Sequence, residues 1–501
     1  MAIVFTEGWD KYGAPALSHA TLDISWKGQW DTDALASAAI VAPLSSYGYA
    51  LQMKDASWGN YFKSIATQTV CCGGVRISLP TLVNSQCGPG YFSGGTGVFQ
   101  ITVNTDGSIS IRTNRPNGTA IGTSATGLIT AGSVHYLEWK VTLNSSTGHF
   151  DICLDGNTVI TGSGNTSNGQ ASANQFGFNM GDNQVGVTGT LTVDDLYLDN
   201  AGPMLNTNPI VETQYPNSTT SSQWSQGSVC VGKAYLETST TAGAPGANFV
   251  MVVPVTPDGN VTLTSVGILP AANSAGAKWK GVLYSDSGGN PNTLIVTGSE
   301  VTGVNASTLS QSTISTTTLT GGTQYWLGYM TDTSFDINES DTLTLGQKKT
   351  NTYGSGAPAT LTGTTSGLND WFIVGIGPTR ANQHDIVNLN PAAMPFASLL
   401  SYIKSATINQ EDLYGFPALQ SSPNNVYSVA VKAFNMKSDS NARTVELQMS
   451  SAGTDSSGST FTPNSVSLTW GESYFTTDPH TSGTWTESTV NAALSGIKLA
   501  S

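Results

Sequence analysis

Short runs of β-forming residues recur along this chain, broken by Gly, Asn, Ser or Asp about every eight to twelve residues. That rhythm constrains the fold more than any other feature of the sequence. "VRISLP", "GVFQITVN", "SISIRT", "VHYLEWKVTL", "GHFDICLDG" and "GTLTVDDLYLD" punctuate the first two hundred or so residues, and "FVMVVPV", "VTLTSVGILP", "KWKGVLYSD", "TQYWLGYMTD" and "DWFIVGIG" follow further on. Such runs are too short for ordinary helices, and many alternate apolar with polar residues, as half-buried strands do. Only 10% of residues are charged and 55 are Gly, which suits strands and turns. The expected fold is all-β, a multidomain β-sandwich or jelly-roll protein with few short helices.

A chain of 501 residues is long enough for several domains, each with its own core. The runs place one sandwich over 1–203. A linker rich in Asn, Ser and Thr covers 204–240, with Tyr215 and Trp224 as anchors. A second sandwich covers 241–378, and a last segment covers 379–501. Within the first sandwich, Leu137, Trp139, Val141 and Leu143 should face the core, with Tyr136, Glu138, Lys140 and Thr142 on the other side. "LDGN" should then turn the chain, with Gly156 and Asn157 at positive φ. In "FASLLSYIKSATINQEDLYGFP", Leu399, Leu400 and Ile403 have helical spacing, while "SYIKSAT" and "DLYGFP" alternate as strands would. A short helix is expected from about Glu487 to Leu494, with Val490, Ala493 and Leu494 on one face and Gly496 as its stop.

The formal net charge of -14, with 19 scattered basic residues, argues against nucleic-acid binding by phosphate neutralisation. The start "MAIVFTEGWDKYG" lacks the basic and apolar regions of a signal peptide, and no run is long and apolar enough to span a bilayer. Synthesis in a cytoplasm and no membrane insertion are expected. Five cysteines, Cys71, Cys72, Cys87, Cys153 and Cys230, are an odd number without zinc spacing and read as reduced, packed thiols.

The stretch "TLTVDDLYLDNAGP" raises the question of chemistry, because Asp194, Asp195 and Asp199 lie close together. Regular alternation would put Leu191, Val193, Asp195, Tyr197 and Asp199 on one face, and Thr192, Asp194, Leu196 and Leu198 on the other. The carboxylates would then not converge, and the stretch reads as the last strand of the first sandwich, with Leu196 and Leu198 in the core. Glu138 stands alone on its strand, so the paired carboxylates of a glycosidase are not evident. His19, His135, His149, His384 and His480 form no H-E-x-x-H motif, and there is no C-x-x-C, G-x-S-x-G or phosphate-loop pattern. No catalytic residue, metal site or cofactor is expected. Asp182, Asp194 and Asp199 are the carboxylates that could hold loop calcium, but strand-end and turn roles explain them better. Sugar binding would rest on exposed aromatic rings, and Trp279, Tyr284, Tyr325, Trp326 and Tyr329 of the second sandwich are the candidates for glycan contact.

"FTEGWDKYG", "HYLEWKVTLNSSTGHFDICLDG" and "VDDLYLDNAG", in that order, resemble the concanavalin A-like domain at the N-terminus of tailed-bacteriophage virion proteins. "VETQYPNSTTSSQW" and, much later, "QEDLYGFPAL", "VYSVAVKAFNMKSD" and "DPHTSGTWTESTVNAALSGIKL" resemble a second, C-terminal module. The resemblance implies a noncatalytic virion structural protein of minor tail, head-fibre or decoration type. It would be a homo-oligomer held by portal, tail, neck or capsid proteins, with 241–378 inserted into its C-terminal module. A receptor-binding adhesin recognising a host surface glycan through that insertion, and a polysaccharide depolymerase, are the alternative readings.

Overall fold

The turn-punctuated runs become antiparallel strands in the computed structural model of the chain. The structure describes residues 3–9, 30, 32–33, 37–55, 60–82, 88–114, 118–179, 189–200, 202–226, 229–232, 240–243, 246–257, 260–306, 308–340, 346–368, 370–377, 379–380, 403–437, 442–463 and 469–501. The protein is nearly all β, as expected. Its chain divides into two compact units, one built from 1–215 and 416–501 and the other from 216–415. The second is therefore an insertion, wider than the 241–378 read from the strand pattern.

The first unit holds two large sheets. One has the order Asn157–Gly164, Gly148–Leu154, Val134–Thr142, Val70–Ser78, Gly189–Asp199, Ala50–Asp55 and Ser37–Val41, with Ile3–Glu7 also paired to Gly189–Asp199. The other runs Ala120–Thr123, Ile109–Thr113, Thr96–Val103, Gly88–Ser93, Ala173–Asn179, Asn60–Gln68 and Thr32–Asp33. Alternate residues of both meet in one core. Leu137, Trp139, Val141 and Leu143 enter it as expected, and Trp139 stacks on Phe176 at 6.0 Å between ring centroids. Gly73 is required beneath this indole, since a Cβ there would lie 2.7 Å from the Trp139 ring. The tight turn after Gly148–Leu154 puts Asp155 and Gly156 at positive φ, one residue earlier than "LDGN" suggested.

The same unit includes the chain's last residues. Val445–Ser451 pairs with Thr454–Phe461 and with Leu494–Leu499, and Val429–Asn435 pairs with Thr469–Phe475. Leu447, Met449, Phe475 and Trp485 fill their core. The short helix Glu487–Ala492 starts with a capping box on Thr486 and Thr489. Gly496 does not stop it: the helix ends earlier, and Gly496 pairs with Gln448 inside the strand Leu494–Leu499. The first strand is fastened to the pair Val429–Asn435 and Thr469–Phe475, because Lys432 Nζ donates to Thr6 O at 2.8 Å and Thr6 N donates to Tyr474 Oη at 3.1 Å.

In the second unit, a sheet built on Val229–Gly232, Ile373–Gly377, Val261–Ile268 and Ser310–Leu319 packs against one ordered Pro291–Thr297, Ser274–Asp286, Tyr325–Thr331, Phe249–Val255, Gly346–Thr350 and Thr365–Leu368. Its first and last strands, Ser218–Ser222 and Glu411–Gly415, pair with each other. Asp412 secures that closure by accepting from Gln223 N at 2.6 Å and Trp224 N at 2.9 Å. The ends of the insertion are thus adjacent, the arrangement under which an inserted domain is tolerated. Of the segment with two readings, Ile403–Lys404 and Glu411–Gly415 are strand, while Leu399 and Leu400 lie outside the described residues.

Candidate functional site

The acidic strand Gly189–Asp199 does not alternate regularly. Asp194 stands opposite Arg76, yet Tyr197 stands opposite Gly74, so three steps on one strand span two on its partner. The extra residue is Asp195, at φ 50°, a left-handed conformation that Asp tolerates better than most residues. The bulge lies where the other neighbour changes from Ala50–Asp55 to Ile3–Glu7. It resets the phase, so Leu191, Val193, Leu196 and Leu198 all enter the core. The expected split, with Leu196 and Leu198 opposite Leu191 and Val193, is corrected accordingly, and Asp194, Tyr197 and Asp199 come to share the outer face.

Arg76, Tyr136 and Glu138 occupy that same outer face, and the segment 202–211 that follows the strand crosses over it. The charged groups hold this strap by its backbone. Asp199 Oδ1 accepts from Gly202 N at 2.6 Å. Glu138 Oε1 accepts from Leu205 N at 2.9 Å, and its Oε2 from Asn206 N at 3.0 Å. Arg76 donates to Asn208 O and Pro209 O at 3.4 and 3.3 Å. Asp195 Oδ1 accepts from Val211 N at 2.8 Å, and its Oδ2 from Arg76 Nε at 2.8 Å. The hydroxyl of Tyr197 donates to Glu138 Oε1 at 2.8 Å, and that of Tyr136 to Asp195 O at 2.9 Å. Asp194 turns the other way, accepting from Leu44 N at 2.9 Å and from Asp195 N at 2.8 Å.

Burial raises the Glu138 carboxyl above its usual range, and burial together with the Asp195 charge raises Asp194 to about 8. Burial also raises Asp195, against the pull of the Val211 amide and the Arg76 guanidinium. A raised carboxyl can mark an acid catalyst. Here the carboxyl oxygens already accept from backbone amides, so the geometry describes clasps on a polypeptide. Asp194 and Asp199, read as calcium candidates, are among these clasps; Asp182 lies outside the described residues. Among the described residues, no group of three or more His, Cys, Asp or Glu is arranged to hold a metal.

Four of the five glycan-contact candidates are corrected by their burial. Trp279 and Tyr329 are fully buried between the sheets of the second unit, edge to face at 6.4 Å. Tyr284 and Trp326 point from the opposite face, where alternation left room for solvent. Tyr353 and Leu361 cover that face instead. Trp326 Nε1 donates to Asp286 Oδ1 at 2.7 Å, and the Tyr284 hydroxyl donates to Pro358 O at 3.1 Å. Tyr325 alone stays half-exposed, with its hydroxyl oxygen accepting from Thr320 N. The covering residues lie well downstream in sequence, so strand periodicity could not reveal them.

The histidines hold a feature that motif reading missed. Ser133 Oγ lies 2.8 Å from His135 Nε2, and His135 Nδ1 lies 2.7 Å from Asp155 Oδ2. The hairpin turn brings Asp155 to this point from twenty residues away. A serine two residues before a histidine was the only local signal. His149 has similar neighbours at longer range, Ser163 Oγ at 3.2 Å and Asp151 Oδ2 at 3.1 Å, and His480 meets Thr454. His19 and His384 lie outside the described residues.

Fold and site together define an all-β protein of antiparallel sandwiches, in which buried acids clasp the chain leading to an inserted unit. No family model and no curated protein matches the sequence. Among solved structures, alginate lyase Aly36B is similar at 13% identity, covering 40% of this chain and 97% of that one, with a TM-score of 0.29. An endo-β-1,4-glucuronan lyase from the fungus Trichoderma reesei shows 15% identity over 34% of this chain and 91% of its own, with a TM-score of 0.26. A Bacillus subtilis protein of unknown function with a galectin-like fold shows 9% identity over 39% and 98%, with a TM-score of 0.24.

Proposed function

We propose that the chain is a structural component of a tailed-bacteriophage virion, a fibre, spike or decoration protein of the tail, neck or capsid. Its primary role is assembly rather than catalysis. The observation that carries this reading is the use of the buried ionic groups. Glu138, Asp195, Asp199 and Arg76 bind main-chain atoms of 202–211, and so fix the segment from which the inserted unit departs. A component that displays an inserted module needs such an anchorage. The motif resemblance to virion proteins, the acidic surface and the many turn-linked strands support the same reading. The chain would assemble as a homo-oligomer with other virion proteins, since particles are built by symmetric repetition.

Mass spectrometry of gradient-purified particles, followed by cryo-electron microscopy, tests the proposal. The expected result is this chain in stoichiometric amounts, with density that fits its sandwiches on the tail, neck or capsid. Purified particles that lack the chain would overturn it.

A further inference from the structure

We propose that Ser133, His135 and Asp155 form a catalytic triad that transfers a small acyl group from an ester to water, an activity separate from any particle role. The residues stand in the order such chemistry needs: a nucleophile beside a base, and a base beside the group that orients it. Ser133 closes a turn in which its own N–H donates to Thr130 O at 3.1 Å and Gly132 N donates to Leu79 O at 2.7 Å. His135 lies at the start of the strand Val134–Thr142. Asp155, at φ 51°, begins the tight turn between Gly148–Leu154 and Asn157–Gly164.

Two bonds to one residue hold that aspartate. Its N–H donates to Tyr136 O at 2.9 Å, and its Oδ1 accepts from Tyr136 N at 2.8 Å, which leaves Oδ2 for the imidazole. Because an ionised carboxylate only accepts, Nδ1 must carry the hydrogen of a neutral ring, and the lone pair of Nε2 then faces Ser133 Oγ. The serine hydroxyl has a second acceptor, Thr130 O at 2.5 Å, and must turn from it to Nε2 for proton transfer. The site is open to solvent. Ser133 is half-exposed, and the side chains of His135 and Asp155 are 16% and 41% exposed. An open rim suits a small ester carried on a larger molecule.

In the first step Ser133 Oγ attacks the ester carbonyl while Nε2 takes the hydroxyl proton. The carbon–alkoxy bond breaks, and the leaving alcohol receives that proton from Nε2. Water then adds to the acyl-serine through the same base, releasing the carboxylic acid and restoring Ser133.

The chain supplies its own control. His149, with Asp151 and Ser163, has the same residue types at longer distances, and the other oxygen of Asp151 is engaged by the Thr161 hydroxyl. The full chain would be treated with a fluorophosphonate probe, and modified serines located by peptide mass spectrometry. Ser133 should react about a hundredfold faster than Ser163. Ser133→Ala should abolish hydrolysis of p-nitrophenyl acetate, and His135→Gln and Asp155→Asn should each slow labelling by about a hundredfold with melting unchanged. A downfield Nδ1–H proton resonance should disappear in both of the latter variants. Labelling of Ser133 at the rate of Ser163, or labelling unaffected by His135→Gln, would overturn the triad and leave a surface hydrogen-bond chain.

Discussion

Replacing Glu138 by alanine should loosen the strap 202–211 and destabilise the first unit by about 3–5 kcal/mol. The figure follows from the donors left behind. Tyr197 Oη, Leu205 N and Asn206 N all direct their hydrogens at this carboxylate, which is itself inaccessible to solvent. Each buried polar group left without a partner costs roughly 1–3 kcal/mol, and the strap amides, being partly buried, belong near the low end. Against a domain stability of about 5–15 kcal/mol, the loss is large enough to measure by urea denaturation. Glu138→Gln should cost only about 1–2 kcal/mol, because its carbonyl still serves two donors while its amide meets the Asn206 N–H. Hydrogen exchange should localise the change, with Leu205 and Asn206 losing protection first.

The two variants also differ in pH dependence. Burial raises Glu138 above its ordinary value of 4.5 in the fold, so the folded state holds this proton longer than the unfolded chain. Wild-type stability should therefore fall as pH rises through the raised value, and Glu138→Gln should remove that component. An alanine variant with unchanged stability and an equally protected strap would refute the reasoning.

Leu196→Asp should unfold the first unit, since Leu196 is fully buried and an unpaired buried carboxylate costs several kcal/mol; retained cooperative melting would count against its place in the core. Asp194→Asn should flatten the decline in stability between about pH 4 and 8, because the wild-type carboxyl, raised from 3.8 to about 8, keeps its proton in the fold across that window while the unfolded chain releases it. Trp279→Ala should cost the second unit about 3–5 kcal/mol by opening a cavity, whereas a glycan-contact role would predict a lost ligand and little change in melting. Lys432→Met should remove one of the bonds that hold the first strand at Thr6, seen as modestly faster hydrogen exchange over Ile3–Glu7 while the strand stays paired to Gly189–Asp199, with the second unit's melting unaffected.

Local pattern alone determined the β class, the strand positions and much of the first core. Leu137, Trp139, Val141 and Leu143 were legible as core because side chains on a strand alternate wherever register is regular. The same rule misled at Asp195, where one extra residue shifts every later side chain to the other face. Nothing in "VDDLYLD" marks a bulge, which depends on how two neighbouring strands share its edge. It misled again at Trp326 and Tyr284, since alternation tells which residues share a face but not whether a distant loop covers it. Tertiary structure alone brought Asp155 to His135 and set the backbone of 202–211 against Glu138, Asp195 and Arg76. The reason is the range of the forces involved: periodicity reports each residue's own strand, whereas hydrogen bonding at a buried group is settled by whichever segment the fold lays beside it.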